Sequence, residues 1–415
     1  MIRALYSAVT GLRAHEVMMD VTSNNIANVN TAGFKSSRAT FSETLAQTIR
    51  GGGLPTGAQG GVNPLQIGLG TRISGVVASF TQGALQLTGR QTDLAIQGDG
   101  FFVVDHNGQQ LLTRNGGFNW DSTGTLATTD GGRVLGWAAD ANGVIPTGGP
   151  TGPLQIPTGP LAPVATQNIT VAGNVKQGVA VGGTAITTST AYDSLGAPHE
   201  LTVTLTKQAT AGDWSAQITY KDATGTVIDI TPATPPTINF DNTGTLTSPA
   251  SFTLNGVVFG AAAAQNLTFH MGDSTHPLTQ YDRATTMDVP THDGSAGAEL
   301  TQVTFGADGS VNGLYANGQT KVMGVVAMAN VANKEGLLRI GDDQFATSLT
   351  SGEPSFGWAG TGSLGSLAPA SLEGSNVDLA NEFTNLVLAQ RGFSANSKVI
   401  TTADEMLAEL VSMKR

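Results

Sequence analysis

The chain contains no cysteine. That excludes a disulfide framework, thiolate metal sites and a cysteine nucleophile. It is also short of charge: Asp, Glu, Lys and Arg make up 12% of 415 residues. The surface must therefore be built largely from Thr, Ser, Asn, Gln and Gly. The balance is acidic, net −11, and lacks the basic face a nucleic-acid binder needs. No stretch approaches the ~18 apolar residues of a membrane span. The opening MIRALYSAVTGLRAHE has no uninterrupted apolar run, so neither membrane insertion nor a cleaved Sec signal is expected. Hydrophobic residues still make up 40% and mean hydropathy is +0.00, which suits roughly two or three domains with real cores.

What is present falls into two textures. Near the start, Leu5, Leu12, Met19 and Ile26 recur every seven residues. Near the end, Leu379, Leu386, Phe393, Ile400 and Leu407 do the same. Each end therefore reads as a helix with a narrow apolar seam, the coiled-coil pattern. Val17, Met18, Val387, Leu388, Val399 and Met406 lie off the seam, as on a helix with more than one neighbour. Ordinary core helices would give a similar pattern. Ordering both ends costs backbone entropy comparable to what a narrow seam recovers. Isolated, the pair is expected to be marginal and to fold fully only when neighbours cover it.

The middle is rich in Gly and Thr and reads as short strands between tight turns. Strand candidates include Leu201 to Thr206, Trp214 to Tyr220 and Asn266 to Phe269. Residues 94–105 suggest two strands around a glycine turn. Asn119-Trp-Asp-Ser-Thr-Gly-Thr-Leu126 is echoed at Asn239-Phe-Asp-Asn-Thr-Gly-Thr-Leu246 and more loosely at residues 304–311. The Asp-x-x-Gly core is turn chemistry, so repeated hairpins are expected. Thr40-Phe-Ser-Glu43 matches a capping box for a short helix around Leu45 and Ile49. Residues 50–70 read as a Gly- and Pro-rich flexible segment, and 146–163, with six prolines, as a stiff linker.

Between the first helix and the strands stand Asn24, Asn25, Asn28 and Asn30, then Gly33 and Phe34. Asn tolerates left-handed backbone and rebuilds local hydrogen bonds, which suits either a helix C-cap or a short joint.

Catalytic and metal patterns are scarce. Six histidines form no His-Glu-x-x-His pair. Gly360-Thr-Gly-Ser-Leu-Gly365 matches a dinucleotide fingerprint, but Pro369 stands where its helix should run. The Asp-x-x-Gly turns lack the acidic residue a calcium loop needs. No enzyme activity, metal or cofactor is expected.

Asn24-Asn-Ile-Ala-Asn-Val-Asn-Thr-Ala-Gly-Phe-Lys35 resembles the N-terminal motif of the bacterial flagellar rod and hook axial family. Ser375-Asn-Val-Asp-Leu379 with Ala389-Gln-Arg-Gly-Phe393 resembles its closing motif, and Thr88-Gly-Arg-Gln-Thr-Asp-Leu-Ala-Ile-Gln-Gly-Asp-Gly-Phe-Phe102 its β-domain signature. Ala191-Tyr-Asp-Ser-Leu-Gly-Ala-Pro-His-Glu-Leu201, Phe305-Gly-Ala-Asp-Gly-Ser-Val311 and Tyr315-Ala-Asn-Gly-Gln319 are similar to the hook members.

The resemblance implies a mainly β, elongated, nested multi-domain protein with α-helical coiled-coil termini and sandwich- or barrel-like middle domains. The expected parts are a terminal helical domain at 1–30 and 373–415 and a joint segment at 31–72. A first β-domain would cover 73–148 and 278–372, and an inserted outer β-domain 149–277. It further implies a hook subunit, exported by the flagellar type III apparatus without a cleaved signal to the outside of the cell. Such a subunit polymerises with itself into a curved tube that passes motor torque to the filament as a universal joint. Its implied partners are the distal rod protein, the hook cap protein and the hook–filament junction protein. The nine heptad residues would be its polymerisation seam, and Asn24, Asn25, Asn28, Asn30, Gly33 and Phe34 its joint. Two alternatives stay open: a distal rod protein, or an extracellular carbohydrate- or calcium-binding β-module.

Overall fold

Hairpin turns organise most of the chain in the computed structural model, which describes residues 2–54, 60–140, 143–146, 149–157, 159–222 and 224–413. In each echoed turn, one aspartate holds the backbone. The Asp241 Oδ1 accepts from the Thr243 N–H at 2.8 Å, the Thr243 hydroxyl at 2.6 Å and the Thr245 N–H at 2.8 Å. Asp121 does the same with Thr123 and Thr125. A further copy, Asp222-Ala-Thr-Gly-Thr226, repeats the bonds and escaped the sequence comparison. Each turn joins two paired antiparallel strands, Trp120 facing Leu126, Phe240 facing Leu246 and Lys221 facing Val227.

The Thr hydroxyl first, and the backbone N–H groups after it, hold Asp121, Asp222 and Asp241 below the ordinary carboxylate range. A depressed folded pKa contributes stability that is full above the unfolded value of 3.8 and is lost as pH falls through the folded one. Asp222→Asn with Asp241→Asn keeps an acceptor but removes the charge. Its thermal stability should depend less on pH below about 4 than that of the parent. Identical acid profiles would refute the role.

The chain divides into two compact units, residues 1–158, 303–313 and 321–415, and residues 159–302 and 314–320. In the first, strands Thr320–Val326, Arg133–Ala138, Phe101–His106, Gln109–Thr113, Gln344–Ala346 and Leu338–Gly341 lie side by side in one sheet. Phe101, Val103, Leu112, Trp137, Val325 and Phe345 form its core. In the second, Thr184–Tyr192, Pro198–Lys207 and Asp213–Lys221 make the centre of one antiparallel sheet. Ser251–Val257, Gln265–Met271 and Asn168–Asn174 make the centre of a second, mixed sheet, the first two antiparallel and the last two parallel. Alternate residues of both point into a shared core around Trp214 and Phe269. The sheets are open and layered, so the barrel-like part of the expectation gives way to a sandwich. The chain's entry into and exit from this unit are bridged to each other, Leu161 to Ala298 and Val164 to Ser295.

Three local expectations are corrected. The capping box at residues 40–43 starts no helix: Ser37–Glu43 and Ala46–Arg50 are strands, paired with Thr71–Ala78 and Leu65–Gly68. Cross-strand pairing of β-branched residues overrides the local cap signal. Leu94–Gln97 does not pair with Phe101–His106 but with Ser366–Pro369. Gly98 and Gly100, at φ 108° and 122°, carry the chain from one sheet to the other. Residues 146–163 are only partly a linker, because Gly152–Pro153 pairs with Leu135 and Gly136 while Leu154 and Ile156 are buried. Residues 147, 148 and 158 of that run lie outside the described residues, as do 55–59 of the Gly-rich segment. Residues 44–54 and 60–68 are exposed throughout. Among the described residues no helix is long and apolar enough to cross a membrane.

Candidate assembly surface and its anchoring node

The two ends of the chain form helices α1 (Ile2–Ala27) and α2 (Leu379–Ser412), packed antiparallel in the first unit. Gly11 meets Asn396, His15 meets Gly392 and Asn25 meets Glu382, stepping in opposite directions along the two helices. Small side chains permit this approach. A Cβ at Gly392 would stand 2.4 Å from His15 Nε2, and one at Gly11 2.8 Å from Asn396 Nδ2. Ala8 and Ala14 on α1 and Ala389 and Ala403 on α2 are buried as well.

The heptad residues flank this small-residue line. Leu5, Leu12, Met19, Ile26, Leu386, Phe393, Ile400 and Leu407 are half-buried, and Leu379 is exposed. Phe383, Val387, Leu388, Val399, Met406, Leu410 and Val411 are also exposed, at 41–71%. A narrow contact made by Ala and Gly thus leaves the large apolar side chains of α2 facing out. So extended an apolar surface is the mark of an interaction site.

Below the helices the Asn-rich stretch forms a dense node. The Asn28 amide donates to the Asn24 carbonyl at 2.9 Å and closes the helix end, while Thr31 Oγ1 donates to Asn28 Oδ1 at 3.0 Å. Asn24 and Asn30 are exposed. Asn25 is buried and clamps Ser37 from both sides, its Nδ2 donating to the carbonyl at 2.8 Å and its Oδ1 accepting from the N–H at 2.9 Å. The same Nδ2 reaches Glu382 on α2 at 3.1 Å. Burial pushes the Glu382 carboxyl up, and the Asn25 bond opposes this. Gly33 has φ 76° and donates to the Glu373 carbonyl at 2.7 Å. Phe34 is buried beneath the Arg339 guanidinium, 4.8 Å from its ring centre.

Next to them is a charge cluster that sequence reasoning missed. Lys35, Arg114 and Glu373 are fully buried. Lys35 Nζ donates to Glu373 Oε1 at 2.7 Å and to the Thr81 carbonyl at 2.8 Å. Arg114 Nη1 donates to Glu373 Oε2 at 3.2 Å, and Nη2 to the Gly98 carbonyl at 2.8 Å. The Gly83 N–H takes the remaining approach to Oε1 at 2.8 Å. Burial draws the Lys35 ammonium below its usual range, against the pull of Glu373. The available signal was a lysine directly after Gly33-Phe34 in a chain with few charges. Asn376 adds a neutral tie: its Oδ1 accepts from the Ser36 N–H at 2.7 Å and its Nδ2 donates to the Ser79 carbonyl at 2.8 Å.

Four family models match this chain in order. "Flagella basal body rod protein" matches residues 5–35 and "Flagellar hook protein FlgE/F/G D1 domain" residues 95–177. "Flagellar basal body protein FlaE D2 domain" matches residues 165–295 and "Flagellar basal body rod FlgEFG protein C-terminal" residues 368–413. The chain is 34% identical to the flagellar hook protein FlgE of Borreliella burgdorferi, with both chains covered completely. It is 32% identical to that of Escherichia coli over 99% of this chain and 100% of the other. The flagellar basal-body rod protein FlgG of Bacillus subtilis is 30% identical over the whole of both chains. In fold it is similar to the crystal structure of the Helicobacter pylori flagellar hook protein FlgE2, with a TM-score of 0.54 over 70% of this chain and 99% of that one, at 14% identity. On these full-length matches the chain belongs to the flagellar hook protein FlgE family, whose members are structural proteins and not enzymes.

Proposed function

We propose that the chain polymerises with itself into a curved tube that transmits motor torque as a universal joint. The observation that carries this is the unsatisfied apolar face of α2, which another copy of the helix pair would cover. The nine heptad residues and their exposed neighbours then form the subunit contacts, with the terminal helices lining the tube. Distal rod protein at one end and hook–filament junction protein at the other are its assembly neighbours, with the cap protein guiding growth. It reaches the outside of the cell through the type III apparatus, without a cleaved signal.

Curvature demands compliant segments between stiff ones. Residues 44–54 and 60–68 suit compliance, being exposed along their length. Residues 25–37 suit the opposite role, a rigid anchor, because they are buried and bonded at Asn25, Gly33, Phe34 and Lys35.

The full-length identity to FlgG favours one other reading, a straight rod-like tube. Electron microscopy of polymer grown from the full chain decides between them. A curved tube is expected. A uniformly straight one would establish the rod reading, and a soluble monomer under all assembly conditions would refute both.

A further inference from the structure

We propose that the Glu373 carboxylate is the positioning group that fixes the roots of both terminal helices to the β-structure of the first unit, holding the helix pair at one angle under load. This rests on the hook-subunit reading. Glu373 precedes α2 by a short segment, and Lys35 follows α1 by another. One buried side chain therefore ties both roots. Its oxygens accept from Lys35, Gly83 and Arg114, and its own carbonyl accepts from Gly33. Those donors come from three separate stretches of chain, and none can turn away without leaving a desolvated charge or N–H behind.

The charge count points the same way. Two cations share one carboxylate, with Lys334 adding further repulsion on Lys35 and Asp99 lying on the Arg114 side. A well-packed apolar cluster of that volume would stabilise the unit at least as well. What ions add is direction. Each hydrogen bond fixes an angle as well as a distance. A weld of this kind lets twist applied to the helices pass into the sheets without opening a hinge at residues 25–37.

The test uses the full-length chain and the variants Glu373→Ala and Lys35→Met. In Glu373→Ala, amide exchange at residues 25–37 and 376–382 should rise about tenfold to a hundredfold, as expected for losing a buried partner. Exchange in the second unit should be unchanged, and the polymer should lose regular curvature. Lys35→Met keeps the Arg114–Glu373 pair and guards against outright unfolding. It should loosen residues 25–37 and leave 376–382 protected.

A pH profile separates anchoring from bulk packing. Because Lys35 is lowered by burial, the unfolded chain holds that proton more tightly. Stability of the first unit should therefore rise with pH between the lowered value and 10.5, and this rise should vanish in Lys35→Met. Root protection and curvature equal to wild type in Glu373→Ala, or a pH rise retained in Lys35→Met, would overturn the proposal. Failure of the wild-type chain to polymerise would instead strike the hook reading, while the exchange and pH arms still judge the anchor.

Discussion

Gly33→Val should unfold the first unit at a temperature at which the wild type is intact. The position combines two constraints. Its φ of 76° lies in the left-handed region, where a β-branched residue is strained. A Cβ there would also stand 2.6 Å from the Asn115 nitrogen and 2.8 Å from the Arg114 carbonyl carbon, both backbone atoms that cannot swing aside. Relief requires moving the Arg114 segment, which withdraws the guanidinium from Glu373 and weakens the Gly33 N–H bond to the Glu373 carbonyl. Strain and a disrupted ion cluster together should cost about 4 kcal/mol or more. For a unit of this size that corresponds to a melting point lower by roughly 8–16 °C. The second unit shares none of these contacts and should melt as before. Calorimetry resolves the two transitions, and an unmoved first transition would refute the account. Gly33→Ala should follow the same direction with a smaller shift.

The second large effect concerns where the C-terminal end is cut. Removing residues 378–415 deletes α2 but spares Glu373 and Asn376. The β-structure of the first unit should stay folded and polymerisation should be abolished. Removing residues 372–415 takes the carboxylate as well. Lys35 and Arg114 would then be buried without a counter-charge, at a cost of about 3–5 kcal/mol. The pairing of Leu372 and Glu373 with Gln86 and Leu85 and the Asn376 ties go with it, so the first unit should fail to fold where Glu373→Ala alone only loosens it. The cuts differ by six residues and should differ in kind. Circular dichroism and sedimentation read both. Equal behaviour would mean that the helix, and not the carboxylate, completes the fold.

The terminal helices were legible because a seven-residue apolar repeat survives in any single sequence. Their contact was not. The repeat marks Leu5, Leu12 and Leu386, whereas the helices meet closely at Gly11 and Gly392, with Ala8 and Ala389 buried nearby in the chain. Small residues carry little hydrophobic signal, and only geometry shows that they meet. The second unit's strands followed alternation closely: Pro198–Lys207 and Asp213–Lys221 contain the stretches expected from residues 201–206 and 214–220. Residues 40–49 misled because a Thr and a Glu at cap spacing are cheap coincidences beside pairing partners at Thr71–Ala78 and Leu65–Gly68. Gly33 was identifiable as a residue of special backbone shape. Lys35, Arg114 and Glu373 were isolated charges with no local pattern, and nothing short of the folded chain brings them together.

The bridges between Leu161 and Ala298 and between Val164 and Ser295 have a consequence for how such chains diversify. A segment whose two ends are adjacent is a cassette. It can be lengthened, shortened or exchanged without altering the distance its host must span. Residues 165–295, which correspond to a separate family domain, sit inside that closure. Natural selection could therefore remodel the cassette while leaving untouched the residues that join the two ends of the chain, and a splice made just outside the bridges offers the experimenter the same freedom.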